Sequence, residues 1–348
     1  IGAIEAGGTL RVDIANRAGV PGDAKAVVAN VTSVRGDGVG FLTVHPCLDT
    51  RPGASSLNFD GANTPNEIIA GLNVSGSLCV YSSVDTDVLI DVVGYIAAES
   101  DYAPLPPARI LETRPGKSTV DGQTAGVGSL DGGQTFELPV LGRAGVSADA
   151  TAVVVNVTSI KAPANGFVTV HPCLDDRPGA SSLNFSARSN RANEIIAEVS
   201  DAGTICLFAS SETGLLVDVV GQLTPSTGYT PVSPARLVDT RAAGSTVDGA
   251  QQQIGRRPAG SILIVDVAER AKVPTSADAV VVNLTAVRPA GGGFFTTFDC
   301  GDLPNASALN YSSANVANEL IVELNDDGQF CLYTSTDSDV LIDVVGHL

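Results

Sequence analysis

One run of residues returns three times along the chain: Ala26-Val27-Val28-Ala29-Asn30-Val31-Thr32, Ala152-Val153-Val154-Val155-Asn156-Val157-Thr158 and Ala279-Val280-Val281-Val282-Asn283-Leu284-Thr285. The copies lie 126 and 127 residues apart. A second run follows at the end of each copy, Leu89-Ile90-Asp91-Val92-Val93-Gly94, Leu216-Val217-Asp218-Val219-Val220-Gly221 and Leu341-Ile342-Asp343-Val344-Val345-Gly346. A period this long is a whole domain, not a solenoid or propeller unit. The fold must therefore be one that about 110–125 residues can close around a core of their own. Three domains are expected, over residues 1–97, 98–224 and 225–348.

Within the second copy, short apolar segments rich in β-branched residues recur at 135–141, 151–160, 166–171, 181–185, 194–199, 204–209 and 215–223. Gly, Pro and Asn turn signals separate them, and no long helical period intervenes. This pattern predicts an all-β fold, three tandem jelly-roll-like β-sandwich domains. Segments 194–199 and 204–209, joined by Ser200-Asp201-Ala202-Gly203, read as a β-hairpin. The Pro-rich stretches Ile96–Ala108 and Leu223–Ala235 read as semi-rigid linkers. Each is followed by Arg109-Ile110-Leu111-Glu112-Thr113-Arg114 or Arg236-Leu237-Val238-Asp239-Thr240-Arg241. The first copy has no counterpart of that segment, since Ile4–Leu10 aligns with Leu130–Phe136. The rest of the first domain is expected either upstream in a precursor or on another chain. With no Met in the sequence, Ile1 is expected to be a processed terminus or the edge of an ordered region.

Every copy also carries two cysteines: Cys47 and Cys79, Cys173 and Cys206, Cys300 and Cys331. No Cys-x-x-Cys occurs, so zinc-ribbon and thioredoxin chemistry have no support. A matched pair per copy predicts one disulfide per domain and an oxidising, extracellular or cell-surface location. Absence of Met suits long exposure to oxidants. A balance of 38 acidic against 20 basic residues, net charge −18, speaks against a nucleic-acid partner or an anionic membrane surface. No apolar run reaches the ~18 residues of a membrane span, so insertion is not expected.

His45-Pro46-Cys47 and His171-Pro172-Cys173 suggest a Cys/His dyad, but the third copy has Phe298-Asp299-Cys300. The cysteine persists where the histidine does not, so no catalytic residue is assigned and the chain is not expected to be an enzyme. The recurring polar residues Asn30, Asn156, Asn283, Asp91, Asp218 and Asp343, with Arg114 and Arg241, admit two readings. Carboxylates and amide oxygens together could hold calcium. Alternatively they form a partly buried hydrogen-bond network that fixes register and satisfies loop backbone. Triplication favours the network, because a scaffold requirement recurs with the scaffold. Asn58, Asn184 and Asn310, and the pairs Asn66-Glu67, Asn193-Glu194 and Asn318-Glu319, recur alongside. Arg114 and Arg241 are expected to pair with a strand carboxylate such as Asp218 in their own domain, or to meet a ligand carboxylate. Asp85-Thr86-Asp87 and Asp337-Ser338-Asp339 could form a cation loop, but the second copy has Glu212-Thr213-Gly214 there, and they read as solvated turns. No metal or cofactor is expected. The sequons at Asn30, Asn156 and Asn283 lie in strand interiors and read as incidental.

The combination of Pro234-Ala235-Arg236-Leu237-Val238-Asp239-Thr240-Arg241, the Ala-Val-Val-Val-Asn-Val-Thr run, Gly166-Phe167-Val168-Thr169-Val170-His171-Pro172-Cys173 and the Asp-Val-Val-Gly run resembles tandem repeats of secreted actinobacterial surface proteins. Such repeats stand beside cell-wall hydrolase or protease domains, or form long arrays. The resemblance implies export and a non-catalytic role, and it assigns no functional residue. The expected function is an extracellular structural subunit of a filament, sheath or surface layer, self-associating with identical chains. The alternative is a multivalent cell-wall- or glycan-binding array, against which the absence of Trp and an aromatic content of 5% count.

Overall fold

A computed structural model describes residues 2–100, 102–173, 177–225 and 228–348. Every regular element among them is a β-strand, and no helix is long and apolar enough to cross a membrane. The first repeat contributes β1 (Thr9–Asp13), β2 (Ala26–Val34), β3 (Val39–His45), β4 (Leu57–Asp60), β5 (Thr64–Gly71), β6 (Ser77–Ser82) and β7 (Asp87–Ile96). The second contributes β8 (Ala103–Glu112), β9 (Thr135–Pro139), β10 (Ala152–Ile160), β11 (Gly166–Pro172), β12 (Leu183–Phe185), β13 (Arg191–Glu198), β14 (Thr204–Ala209) and β15 (Gly214–Leu223). In the third are β16 (Thr230–Asp239), β17 (Ser261–Asp266), β18 (Ala279–Val287), β19 (Gly293–Phe298), β20 (Leu309–Tyr311), β21 (Val316–Glu323), β22 (Gln329–Thr334) and β23 (Asp339–His347).

Each repeat makes two sheets. In the second they run β13-β10-β15-β8 and β12-β11-β14-β9. The third repeats both orders as β16-β23-β18-β21 and β17-β22-β19-β20. In the first repeat one sheet is β1-β6-β3-β4, but the other has only β5-β2-β7. The Ala-Val-Val strands β2, β10 and β18 sit centrally. Their apolar residues, interrupted by a buried Asn and Thr, suit a strand buried on both faces. Val27, Ala29 and Val31 meet Leu42, Val44, Leu78 and Val80 of the facing sheet in the first core. Val280, Val282 and Leu284 meet Phe295, Phe330 and Leu332 in the third.

The chain divides into two compact units, Ile1–Cys173 with Phe185–Thr227, and Leu174–Asn184 with Gly228–Leu348. The first holds two repeats, and the second holds the third repeat with the stretch that follows Cys173.

Two expectations need correction. Segments 194–199 and 204–209 do not form a hairpin. β13 pairs with β10, whereas β14 pairs with β11 and β9. The turn is real, with Gly203 N donating to Ser200 O at 2.8 Å, but it carries the chain from one sheet to the other. The Pro-rich stretches are not spacers either: much of each is an edge strand, β8 or β16, paired to β15 or β23. Prolines are tolerated there because an edge strand can turn donor-less positions away from its single neighbour. The ladder skips at these points, with register shifts at Val219/Gly221 beside Pro104 and between Pro231 and Ala235.

Candidate functional site

The cysteines pair as Cys47–Cys79, Cys173–Cys206 and Cys300–Cys331, with Cα atoms 4.8, 5.0 and 4.9 Å apart. In each pair the second cysteine lies in β6, β14 or β22, and the first comes one or two residues after the end of the neighbouring strand. His45 and His171 stand opposite Cys79 and Cys206 in the ladder, and Phe298 takes that place opposite Cys331. Both histidines are buried. His45 Nδ1 accepts from Leu48 N at 3.1 Å, and burial, aided by Arg51, lowers its pKa. His171 Nδ1 meets the Pro172 carbonyl at 2.6 Å. These contacts lie at the corner that presents the cysteine, and in the third repeat Phe298 takes the histidine's place in the ladder.

The recurring Asp residues are positioned by arginines that differ from those expected. Asp218, fully buried on β15, receives a two-pronged fork from Arg109, Nε and Nη2 each 2.9 Å from a carboxylate oxygen. Asp343 receives the same fork from Arg236 at 2.8 and 2.9 Å. Arg114 and Arg241 instead clasp the carboxylates two residues before them. Arg114 reaches Glu112 at 2.9 and 2.8 Å, and Arg241 reaches Asp239 at 2.9 and 2.6 Å. The reason is alternation: in an edge strand, residues 109 and 218 stand opposite each other across the ladder. Arg109 Nη1 also reaches Glu112 at 3.0 Å, joining the two pairs into one cluster. Burial raises the pKa of Asp218 and of Asp343, partly offset by their arginines. Burial also opposes the Glu112 charge, but bonds from Arg114 and Arg109 outweigh it and hold its pKa below the usual range.

A second clamp, absent from the sequence reading, ties the loop after this strand. Arg143, itself buried, donates to Asp121 at 2.7 and 3.0 Å and to the Ile110 carbonyl at 2.8 Å. Arg270 does the same with Asp248, at 2.6 and 2.9 Å, and with the Leu237 carbonyl at 2.8 Å. Hydrogen bonds from these arginines pull Asp121 and Asp248 down to about 2. The signal was available as the repeated Ser-Thr-Val-Asp-Gly at 118–122 and 245–249.

The repeated asparagines reach outside their own copy. Asn156 Nδ2 donates to the Ser55 carbonyl, in the loop after Cys47, and Asn283 Nδ2 donates to the Ser181 carbonyl in the loop after Cys173. Beside Asn156, the Ile69 amide donates to Glu194 Oε1 at 2.6 Å, and Glu194 N donates to Asn66 Oδ1 at 3.3 Å. Burial, reinforced by the charge of Glu67, pushes Glu194 up to about 8. A cavity of about 210 Å³ lies here, lined by Glu194, His45, Ile68, Ile69 and the prolines of β8. Burial favours the neutral form of both Glu194, which a backbone amide holds, and His45. Their chemistry is that of a neutral junction between two repeats. Asn30 is buried like its counterparts, so all three sequons are inaccessible.

The remaining candidates serve turns. Asn58 accepts from Ser55 at 2.9 Å, and Asn184 and Asn310 donate to Ser181 and Ser307 at 3.2 and 3.0 Å. Asp85 and Asp337 accept the amides of Ala6 and Ala259, each at 2.7 Å, while Asp87 and Asp339 pair with Arg35 and Arg288. Among the described residues no group of three or more His, Cys, Asp or Glu is placed to hold a metal ion. Among the described residues no arginine pairs with Asp91 as Arg109 and Arg236 do with Asp218 and Asp343.

No family model matches the chain, and no curated protein matches it. One similar solved structure is described as the triple jelly roll fold and turret assembly in an archaeal virus. It is 7% identical with TM-score 0.22, over 99% of this chain and 85% of that one. Another, from Sulfolobus Turreted Icosahedral Virus, is 8% identical with TM-score 0.20, over 99% and 86%. At these scores the likeness carries no argument.

Proposed function

We propose that the chain consists of three tandem jelly-roll-like β-sandwich domains and serves as a non-catalytic, exported structural protein, the self-associating subunit of a surface filament, sheath or layer. The strand orders of the second and third repeats support the fold. Numbered within a repeat they are 6-3-8-1 and 5-4-7-2, the connectivity of two Greek keys rolled together. The function rests chiefly on where the repeated polar groups go. The arginine forks hold edge strands, the asparagines in the second and third repeats hold the loop of the preceding repeat, and the cysteines cross-link strand ends. Three disulfides favour an oxidising compartment outside the cell. Negative-stain microscopy of native material is expected to show regular polymers. Monodisperse particles retained by cell-wall glycan would overturn this reading.

One observation favours the binding alternative. An aromatic pair recurs on the cysteine-bearing sheet of each repeat, Phe41–Tyr81, Phe167–Phe208 and Phe294–Tyr333, with centroids 5.9, 6.1 and 6.0 Å apart. All six rings are partly solvent-exposed, and Arg51 stacks on Tyr81 at 4.1 Å. Such surfaces suit sugar stacking. Loss of glycan retention in a Phe294→Ala, Tyr333→Ala variant with unchanged folding would establish that role.

A further inference from the structure

The cavity beside Glu194 holds a polar group whose bonding capacity the fold does not use up. All of its walls belong to one compact unit. β3 and β5 of the first repeat supply Val44, Ile68 and Ile69, β8 of the second supplies Pro104 and Leu105, and Val220 of β15 extends the apolar lining. Its volume of about 210 Å³ exceeds the ~150 Å³ that holds a benzene ring. In that proportion it admits about eight non-hydrogen atoms. On the β8 side the wall is a single edge strand whose Pro106 is solvent-exposed, which gives a ligand a way in.

Glu194 lines this space and is only 7% exposed. One carboxyl oxygen takes the Ile69 amide at 2.6 Å, and among the described residues the other has no hydrogen-bond partner. The buried acids Asp218, Asp343, Glu112 and Asp239 differ, for each receives an arginine. No Lys or Arg lines this cavity, and among the described residues no cation pairs with Glu194. The titratable groups around it supply none. Glu67 of β5 adds negative charge, burial keeps the Tyr102 hydroxyl ahead of β8 neutral, and burial disfavours the charged form of His45 on β3. A buried carboxyl with a single bond is costly to maintain, and a cation carrying its own apolar surface would complement both the acid and the walls.

We propose that this cavity binds a small organic ammonium, a primary amine of about eight non-hydrogen atoms, with its charge on the free oxygen of Glu194 and its hydrocarbon against Ile69, Leu105 and Val220. On binding, the ammonium keeps its proton and the neutral carboxyl gives its own to solvent, so an N–H···O ion pair replaces an O–H group facing the cavity. Such a site goes beyond the structural role and stands whether or not the chain polymerises.

The test sets the intact chain against cyclohexylmethylammonium and its neutral counterpart cyclohexylmethanol, by titration calorimetry and by methyl NMR of Ile and Val. The amine should bind one-to-one with a Kd of about 1 mM or tighter at pH 7.5, at least about tenfold tighter than the alcohol, and should shift the Ile69 and Val220 methyls. Because the Glu194 pKa stands at about 8, affinity for the amine should rise about tenfold from pH 6 to pH 7, with proton release, while affinity for the alcohol should not rise. Glu194→Gln keeps the oxygen that accepts the Ile69 amide. It should weaken the amine about ten- to hundredfold, the worth of a charged hydrogen bond, and abolish the pH dependence. Val220→Phe, which fills the space from a half-buried position, should weaken it too. A Kd above about 1 mM overturns the proposal. So does an alcohol that binds as tightly as the amine, since the site would then be one for neutral molecules. Unchanged amine affinity in Glu194→Gln or in Val220→Phe would place the amine elsewhere and overturn it equally.

Discussion

Replacing Glu194 with Gln should stabilise the first unit, and by an amount that grows with pH. Glu194 is buried against Ile69, and its pKa stands at about 8 rather than the ordinary 4.5. Between those two values the folded chain keeps a proton that the unfolded chain has released. Stability therefore falls as pH rises from 4.5 towards 8, then levels off. Integrating this difference gives a penalty of about 1 kcal/mol at pH 5 and about 3 kcal/mol at pH 7. Gln keeps the oxygen that accepts the Ile69 amide and has no charge to desolvate. Urea unfolding followed by far-UV circular dichroism, at pH 5, 6, 7 and 8, should show the variant's advantage widening by about 2 kcal/mol between pH 5 and 7. Carbon NMR of the Glu194 carboxyl would read the titration directly. A pH-independent difference between variant and parent would refute the reasoning, as would a carboxyl titrating below pH 6.

Three further outcomes are expected. Arg109→Ala leaves Asp218 buried without its partner and should cost about 3–5 kcal/mol. Adding Asp218→Asn should recover part of that, measured as a coupling energy in a double-mutant cycle. Replacing Cys173 and Cys206 together with Ser opens a loop of 33 residues, and the chain-entropy model gives a loss of about 3–4 kcal/mol, read as a lower melting temperature. Asp121, pulled down to about 2 chiefly by Arg143 and 24% exposed, contributes stability that is whole above pH 4 and lost as pH falls towards 2. Allowing for partial screening, Asp121→Asn should remove about 1–2 kcal/mol at pH 7 and make little difference at pH 2, by the same urea titration.

Strand positions were legible because strands announce themselves locally. Ala152–Thr158 and Leu215–Leu223 are apolar, β-branched and bounded by turns, and they became β10 and β15 within a residue or two. Sheet membership was not legible, since alternation says which residues share a face but not which neighbour a strand takes. That is why 194–209 looked like a hairpin although its two arms joined different sheets. β8 and β16 were hidden by their prolines, which read as spacers because the sequence does not say that these strands lie at an edge. Disulfide partners could be paired because the cysteines came two to a copy. Arg109 and Arg236 were overlooked in favour of Arg114 and Arg241, yet Pro-Ala-Arg recurred, with a carboxylate three residues on each time. The partners of Asn156 and Asn283 had no signature at all, because a backbone carbonyl of the preceding repeat can belong to any residue.

The arginine forks make most sense as devices of register. Buried ion pairs are weak contributors to net stability, because desolvation consumes much of the attraction. The edge strands that carry them have a different difficulty. Pro104, Pro106 and Pro107 remove three amide donors from β8, and the β8–β15 ladder shifts between Val217 and Asp218 and again between Val219 and Gly221. A ladder so interrupted could slip by a residue, and any odd slip would exchange the faces on which the fully buried Ile110 and Leu111 pack. A two-pronged bond between Arg109 and Asp218 tolerates no such slip, since it would strand a fully buried carboxylate. The third repeat has the same device where β16 skips between Pro231 and Ala235 and again between Arg236 and Val238, its arginine likewise at the irregularity. Proline keeps the edge strand from pairing further outward, and the fork restores the specificity that proline removes.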